Sequence, residues 1–369
     1  MARIGILGIK RLPAVAGADG VVEHLLRHAP DGHEYTVYLV REGGSHADLP
    51  AGVRVVRIPA AGGKHFGPFS YFVACALHAL VRGHYDLVHV HNSDAGFVLP
   101  LLRLRPHTRI VGTFHGDPYL RAKWGPAAKI FLKASESLFI RLSTALTSVS
   151  AVRRGGSVPV EHIPNGVEPS AGPSPAAGTI LARFGLKEGG YVLFAAGRVD
   201  ETKGLHDLLA AYRRTSPPLP LMVVGDFSHD PPYTAKLDAM LRGLPVTVHR
   251  GLLPKRELSD LMCCAAAFVF PSHVEAMSMV LLEALAAGPP VVCSDIPENL
   301  AVVGPGYPWL FRTGDSGHLG TVLGEALRHG SARNGPAMGG FAALPDWRQV
   351  ALRYDAVYRR VLARKQGAG

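Results

Sequence analysis

Glu275 and Glu283, with seven residues between them, bracket the densest run of chemistry-bearing residues in the chain: Pro271-Ser-His-Val-Glu-Ala-Met-Ser-Met-Val-Leu-Leu-Glu-Ala-Leu-Ala-Ala-Gly288. The apolar spacing predicts a helix over 279–287, so Glu275 precedes it and Glu283 lies on it. The start of such a helix leaves the amides of Ser278, Met279 and Val280 without intrahelical acceptors, which suits a phosphate. A carboxylate at either end can accept hydrogen bonds from sugar and ribose hydroxyls. As structure alone, Glu283 is a solvated helix residue.

A second run, Ala195-Ala-Gly-Arg-Val-Asp-Glu-Thr-Lys-Gly204, puts Arg198 and Lys203 between a strand end and a helix. A guanidinium that grips two oxygens and an ammonium that acts as a point charge are the pair a diphosphate needs. Two ordinary surface cations are the plainer alternative. Thr113-Phe-His-Gly-Asp117 ends another strand, and His115 there can hydrogen-bond a hydroxyl or carry a proton. Gly17-Ala-Asp-Gly20 opens a helix, either as a loop that approaches an anion or as a simple tight turn. Val246-Thr-Val-His-Arg250-Gly251-Leu252 is a strand running into a turn, whose backbone edge is a candidate for contact with a base.

Several chemistries are excluded by what is missing. No Asp-x-Asp pair is present to bridge a divalent metal to a diphosphate. There is no G-x-x-x-x-G-K-[ST] and no G-x-S-x-G, so P-loop ATPase and α/β-hydrolase chemistry fall away. His89 and His91 share one face of a strand but lack a third ligand nearby in sequence, so no metal and no bound cofactor are expected. Cys75, Cys263, Cys264 and Cys293 form no CxxC pair and read as buried reduced thiols.

The elements that must position these residues alternate along the chain. Strands are predicted at 3–7, 35–41, 53–58, 87–91, 109–113 and 145–148, with helices at 20–28, 70–82 and 123–143. Ile163-Pro-Asn-Gly-Val-Glu-Pro-Ser-Ala-Gly-Pro-Ser-Pro-Ala-Ala-Gly178 is too rich in Pro, Gly, Ser and Ala for a core element and marks a domain boundary. Beyond it, strands are predicted at 192–196, 221–225, 246–249, 267–271 and 291–294, and helices at 204–214, 233–243, 256–265 and 279–287. A last amphipathic helix spans about 347–365. The expected fold class is α/β, with two facing Rossmann-like, doubly wound parallel-sheet domains, in which ligands bind beyond the carboxyl ends of the strands.

The 369 residues suffice for two such domains, and a hydrophobic fraction of 47% fits a globular chain. The 39 basic and 29 acidic side chains give a net charge of +10. They lack the aromatic interleaving of a nucleic-acid surface and suit phosphates or lipid headgroups. No secretory signal is visible, and the apolar run Leu261–Pro271 falls far short of the roughly 20 residues of a membrane span. A cytoplasmic location is expected, with contact at the inner face of the membrane if the acceptor is lipid-linked. Tyr119-Leu-Arg-Ala-Lys-Trp-Gly-Pro-Ala-Ala-Lys-Ile-Phe-Leu-Lys133 mixes cations with aromatics as interfacial helices do, although a domain helix packed on its own sheet is the simpler account. High Ala, Gly, Pro and Arg usage points to a GC-rich bacterial genome.

Together these motifs resemble the family 4 glycosyltransferases, retaining enzymes of the GT-B fold, over nearly the whole chain. The E-x7-E motif from Glu275 to Glu283 runs into Ala284-Leu-Ala-Ala-Gly288-Pro-Pro-Val-Val, and Gly197-Arg198…Lys203-Gly204, Ile163-Pro-Asn-Gly-Val167 and Val224-Gly225-Asp226 also match. The resemblance implies an acceptor-binding domain at 1–168, a nucleotide-sugar-binding domain at 169–345 and a helical segment at 346–369 that packs back on the first. It implies that Arg198 and Lys203 hold the diphosphate with Gly20 closing over it, and that Glu275 meets the transferred sugar and Glu283 the ribose. The amides of Ser278, Met279 and Val280 would meet phosphate or sugar hydroxyls, His115 the donor sugar, and Arg250, Gly251 and Leu252 the base. Asn92 and Asp117 are the acceptor candidates.

The implied reaction is metal-independent transfer, with retention, from a UDP- or GDP-linked sugar to a hydroxyl of a glycan, lipid-linked or natural-product acceptor. Domain closure on donor binding is expected. A sugar-nucleotide epimerase or hydrolase on the same fold, or a non-catalytic nucleotide-sugar-binding subunit, is the alternative. The family often carries Glu-Gly-Phe-Gly where this chain has Glu275-Ala-Met-Ser278, so the donor-sugar pocket differs and the sugar stays unnamed.

Overall fold

The computed structural model of the chain describes residues 1–14, 17–41, 49–50, 52–60, 63–120, 124–151, 158–329 and 344–363. The chain forms two compact units, Met1–Gly166 together with Pro345–Gly369, and Val167–Leu344.

In the first unit, strands β1 (Ala2–Leu7), β2 (His33–Val40), β3 (Val53–Ile58), β4 (Leu87–His91), β5 (Arg109–Phe114), β6 (Ala145–Ser148) and β7 (Glu161–His162) form one parallel sheet ordered β3-β2-β1-β4-β5-β6-β7. Its helices are α1 (Gly17–Arg27), α2 (Gly63–His78), α3 (Leu99–Leu102) and α4 (Pro126–Leu142). In the second, β8 (Val192–Ala196), β9 (Leu221–Gly225), β10 (Val246–Arg250), β11 (Ala267–Phe270), β12 (Val291–Ser294) and β13 (Leu310–Phe311) run parallel in the order β10-β9-β8-β11-β12-β13. Helices α5 (Ala177–Arg183), α6 (Leu205–Thr215), α7 (Pro231–Leu241), α8 (Lys255–Cys264), α9 (Met279–Ala287), α10 (Pro297–Val303) and α11 (Ser316–His329) belong to this unit, and α12 (Trp347–Ala363) to the first.

Strands such as β4, β8 and β9 are buried at every position because helices cover both faces of a parallel sheet. In β8, Val192, Phe194 and Ala196 enter one core, while Leu193 and Ala195 enter another on the opposite face. Strand β3, at the edge, exposes Arg54 and Arg57.

Several boundaries differ from the sequence expectation for physical reasons. Helix α2 starts at Gly63 rather than at 70, because Pro68 has a helix-compatible φ and costs one backbone hydrogen bond without ending the helix. Gly17–Gly20 is the first turn of α1 and not a loop before it, with the Asp19 carboxylate accepting from the Lys10 amide at 3.2 Å. Within the Pro- and Gly-rich boundary segment, Ile163–Gly166 is buried, and a Cβ on Gly166 would meet the Trp347 ring at 2.7 Å. On α4, Leu132 and Phe139 turn inward, whereas Ile130 and Phe131 are exposed. Residues 121–123 of the stretch singled out there, and 364–365 of the last helix, lie outside the described residues. No helix among the described residues is long and apolar enough to cross a membrane.

Candidate functional site

Each sheet has a seam where strands from separate crossovers become neighbours. In the first, β1 pairs with β4 although β2 and β3 intervene in sequence; in the second, β8 pairs with β11 although β9 and β10 intervene. Helices leave such a seam in opposite directions, and the carboxyl ends of its strands bound a crevice. The residues singled out from the sequence concentrate at these two places.

In the second unit, β8 ends at Ala196 and is followed by the half-buried Arg198, which makes no ion pair among the described residues. The chain then folds into a short turn, with Asp200 accepting from the Thr202 amide at 3.1 Å. That turn delivers Lys203, whose Nζ donates to Glu275 Oε1 at 2.7 Å. Glu275 comes from the segment after β11, so one ion pair joins the two sides of the seam. Its side chains are only 22% and 10% exposed, which shields it from the screening that weakens surface pairs. Gly204 is required sterically as well as conformationally: its φ is +65°, and a Cβ would stand 1.9 Å from the Pro271 carbonyl oxygen. His273 donates its amide to the Thr202 carbonyl at 2.7 Å, a second tie between the same segments.

Helix α9 begins beside this pair. Ser278 is its N-cap, with the side chain accepting from the Leu281 amide at 3.5 Å, and the helical ladder starts with Leu282 donating to the Ser278 carbonyl. The amides of Met279 and Val280 therefore stand outside the ladder, available to an anion. Glu283 lies one turn on. Burial raises its carboxyl above the usual range, with Lys255 opposing that effect. The strand leading to the expected base edge is partly committed elsewhere: Arg250 pairs with Asp238 and lies 4.9 Å from the Phe227 ring centroid. The Gly251 amide donates to the Gly225 carbonyl at 2.8 Å, while Leu252 is exposed.

In the first unit, Gly8 follows β1 at a φ of +101°, and a Cβ there would stand 1.8 Å from the His91 carbonyl oxygen. Asn92 follows β4 at a φ of 77°, and its side-chain amide donates to the Gly8 carbonyl at 3.2 Å, which locks the seam. His115, after β5, places Nε2 at 2.8 Å from His91 Nδ1. Burial pushes His115 down to about 4, so the ring is neutral at neutral pH. Both nitrogens of His89 are taken, Nδ1 by the Tyr358 hydroxyl at 2.7 Å and Nε2 by Thr113 at 2.6 Å, so His89 has no free nitrogen for a metal. Gly20 lies on α1, where a Cβ would meet only Ala14, at 3.8 Å.

Asp117 lies near Glu136 of α4, whose carboxyl is raised first by burial and then by Asp117. Sequence reasoning missed Glu136, since it sits in a helical stretch read only for packing. It also missed His91 as a partner of His115, and the group His206, Asp207 and His273. The i, i+2 spacing of His89 and His91 was the one available signal for His91. All four cysteines are free and buried.

Residues 15–171 match the family model described as Glycosyltransferase Family 4, and residues 178–334 the model Glycosyl transferases group 1. A glycogen synthase of Mycobacterium tuberculosis is 30% identical over 313 residues, covering 77% of this chain and 71% of the relative. A phosphatidyl-myo-inositol mannosyltransferase of the same organism is 28% identical over 375 residues, covering 93% of each. Among solved structures, sucrose-phosphate synthase from Thermosynechococcus elongatus superposes with a TM-score of 0.79 at 20% identity, covering 98% of this chain and all of that one. HepE of Anabaena, in complex with UDP and glucose, gives 0.77 at 16% over 98% and 100%. These likenesses show the GT-B fold, two parallel-sheet α/β domains.

Proposed function

Because the chain belongs to glycosyltransferase family 4, we propose that it is a retaining, metal-independent hexosyltransferase. It would use a UDP- or GDP-linked donor and a hydroxyl of a glycan, lipid-linked or natural-product acceptor. The observation that carries this reading is the shielded Lys203–Glu275 pair at the β8/β11 seam, beside the open start of α9. HepE with UDP and glucose, and the mannosyltransferase named for a phosphatidylinositol, support a nucleotide donor and admit a lipid-linked acceptor.

In the proposed reaction the anomeric C–O bond to the diphosphate breaks as the acceptor oxygen bonds on the same face. The acceptor proton passes to the leaving diphosphate. Negative charge grows on that diphosphate, and Arg198, Lys203 and the amides of Met279 and Val280 are the groups that would neutralise it. Fixed donors of this kind are each worth about 3–4 kcal/mol in a transition state. Glu275, held by Lys203, would accept from sugar hydroxyls, and Glu283 from the ribose. Neutral His115 can hydrogen-bond a sugar hydroxyl without adding charge.

The test is a thermal-shift screen against UDP, GDP, ADP, TDP and CDP with EDTA present. One diphosphate is expected to raise the melting temperature by linkage, and its sugar conjugates then serve as donors, with the anomeric configuration of the product read by NMR. An inverted product, or no shift followed by no diphosphate release from any donor, sinks the proposal. Conversion of the donor without an acceptor turns it toward an epimerase or hydrolase.

A further inference from the structure

Two histidines and an aspartate converge from the same two segments that carry Lys203 and Glu275. His206 and Asp207 lie in the first turn of α6, and His273 follows β11. His273 Nε2 stands 2.6 Å from Asp207 Oδ2, and His206 Nε2 stands 3.6 Å from Asp207 Oδ1. One potential ligand atom from each residue lies within 4.8 Å of the other two. His206 Nδ1 is held at 2.8 Å by the Tyr233 hydroxyl, which leaves Nε2 toward the carboxylate. The side chains are 18%, 11% and 30% exposed in the order His206, Asp207, His273, so the group is sheltered but reachable from solvent on the His273 side.

We propose that His206, Asp207 and His273 form a divalent transition-metal site, with zinc the ion its two-nitrogen, one-oxygen donor set suits. Tetrahedral zinc takes ligands at about 2.0–2.2 Å, which puts neighbouring donors somewhat over 3 Å apart. The two nitrogen-to-carboxylate separations, to different oxygens of Asp207, lie either side of that value, so side-chain adjustments admit the ion. His273 then ligates through Nε2 as a neutral ring with its proton on Nδ1, and any second proton passes to solvent. Water completes the fourth position. Imidazole donors favour zinc over magnesium or calcium, which prefer oxygen. Tyr233 plays the orienting part that fixes a ligating ring. The expectation of a metal-free chain rests on the missing Asp-x-Asp, which concerns oxygen-bound ions at a diphosphate, and on the lack of a third ligand beside His89 and His91; neither bears on the group at His206, Asp207 and His273.

The ion would tie residues 202–207 to 271–275, the two segments that carry Lys203 and Glu275, alongside the existing bond from the His273 amide to the Thr202 carbonyl. It is a clamp on their backbone and contributes no reacting group. The site stands on its own residues and does not depend on the transfer reaction proposed above.

The test is a zinc titration of chelator-treated full-length protein against a chromophoric indicator, with bound metal counted after desalting. One zinc per chain is expected, bound more tightly than about 1 μM. His273→Ala and His206→Ala should each weaken it at least roughly tenfold, and Tyr233→Phe by about tenfold. Metal-free melting curves verify that each variant is folded, and His273→Ala, the most exposed of the three, serves if His206→Ala is not. No tight zinc in the wild type overturns the proposal. Undiminished zinc in folded His273→Ala also overturns it, since the ion would then sit on other donors such as the Cys263 and Cys264 thiols. Loss of glycosyl transfer with zinc binding intact would count against the proposed function alone.

Discussion

His91 Nδ1 and His115 Nε2 face each other at 2.8 Å at the carboxyl ends of the paired strands β4 and β5, with their rings stacked at 27°. His91 Nε2 has no hydrogen-bond partner among the described residues. A buried N–H without an acceptor is rarer and costlier than a bare lone pair. The proton of neutral His91 therefore belongs on Nδ1, donating to His115 Nε2, and the proton of neutral His115 belongs on Nδ1. The contact fixes which edge of His115 donates, so in the proposed reaction His91 would act as a positioning residue.

Replacing His91 should release that constraint while leaving His115 in place. We expect His91→Ala to lower turnover roughly tenfold to a hundredfold, as loss of an orienting partner does elsewhere. Nitrogen-15 shifts of the His115 ring in wild-type protein report the tautomer directly. A ring protonated on Nε2, or unchanged turnover in His91→Ala, contradicts the assignment.

The same histidines set the response of stability to acid. Burial lowers His89 to about 3 and His115 to about 4, and holds His91 well below the ordinary range with further help from its two neighbours. The unfolded chain titrates these rings near 6.5, so between that value and the folded values it binds more protons than the native state. The stabilisation is complete above about pH 7 and is lost as pH falls. Each fully buried ring can contribute about 1.4 kcal/mol per pH unit, less for the partly exposed His115. Urea midpoints should decline from pH 7 to 5, and His89→Gln should flatten the slope. A flat profile in the wild type would refute neutral burial.

Two glycines that look alike in sequence should respond oppositely to alanine. Gly204→Ala forces a left-handed φ on a side chain whose Cβ collides with the Pro271 carbonyl. We expect a loss of about 4 kcal/mol or more, seen as failure to accumulate folded protein. Gly20→Ala lies within α1 in open space and should raise stability by about 0.5–1 kcal/mol. If Gly20 is bare to admit a diphosphate, donor affinity falls in the same variant. Equal effects of the two substitutions on folding would invalidate the steric distinction.

The fold was legible because parallel strands covered on both faces are written as short apolar runs, and β4, β8, β9 and β12 fall on the predicted residues. The two-residue strands β7 and β13 carry too little pattern to detect, and α10 and α11 follow the last predicted strand, where no motif drew attention. Lys203 and Glu275 were both visible as candidates, yet nothing in sequence could pair residues 72 positions apart. His206, Asp207 and His273 were hidden for the same reason, because tertiary folding alone brings α6 against the segment after β11. Arg250 ends β10, and its side-chain pairing with Asp238 on α7 was not legible, because tertiary folding alone brings the two elements together.

The sharpest test of the proposed chemistry combines a charge deletion with chelation. Lys203→Ala removes the cation from a shielded pair and should lower turnover by about two orders of magnitude or more, the scale found when one charge-stabilising donor is lost from a reacting site. Some stability is lost too, because Glu275 is left partly buried without its partner, at about 1–3 kcal/mol. Circular dichroism and melting must therefore accompany the kinetics, so that a folded, inactive variant is distinguished from an unfolded one. In the wild type, transfer should persist in EDTA if, as proposed, Arg198, Lys203 and the α9 amides supply the positive charge. Activity abolished by chelation and restored by a divalent ion at the diphosphate would reject the metal-free scheme. Wild-type turnover in folded Lys203→Ala would remove the diphosphate role from the β8/β11 seam.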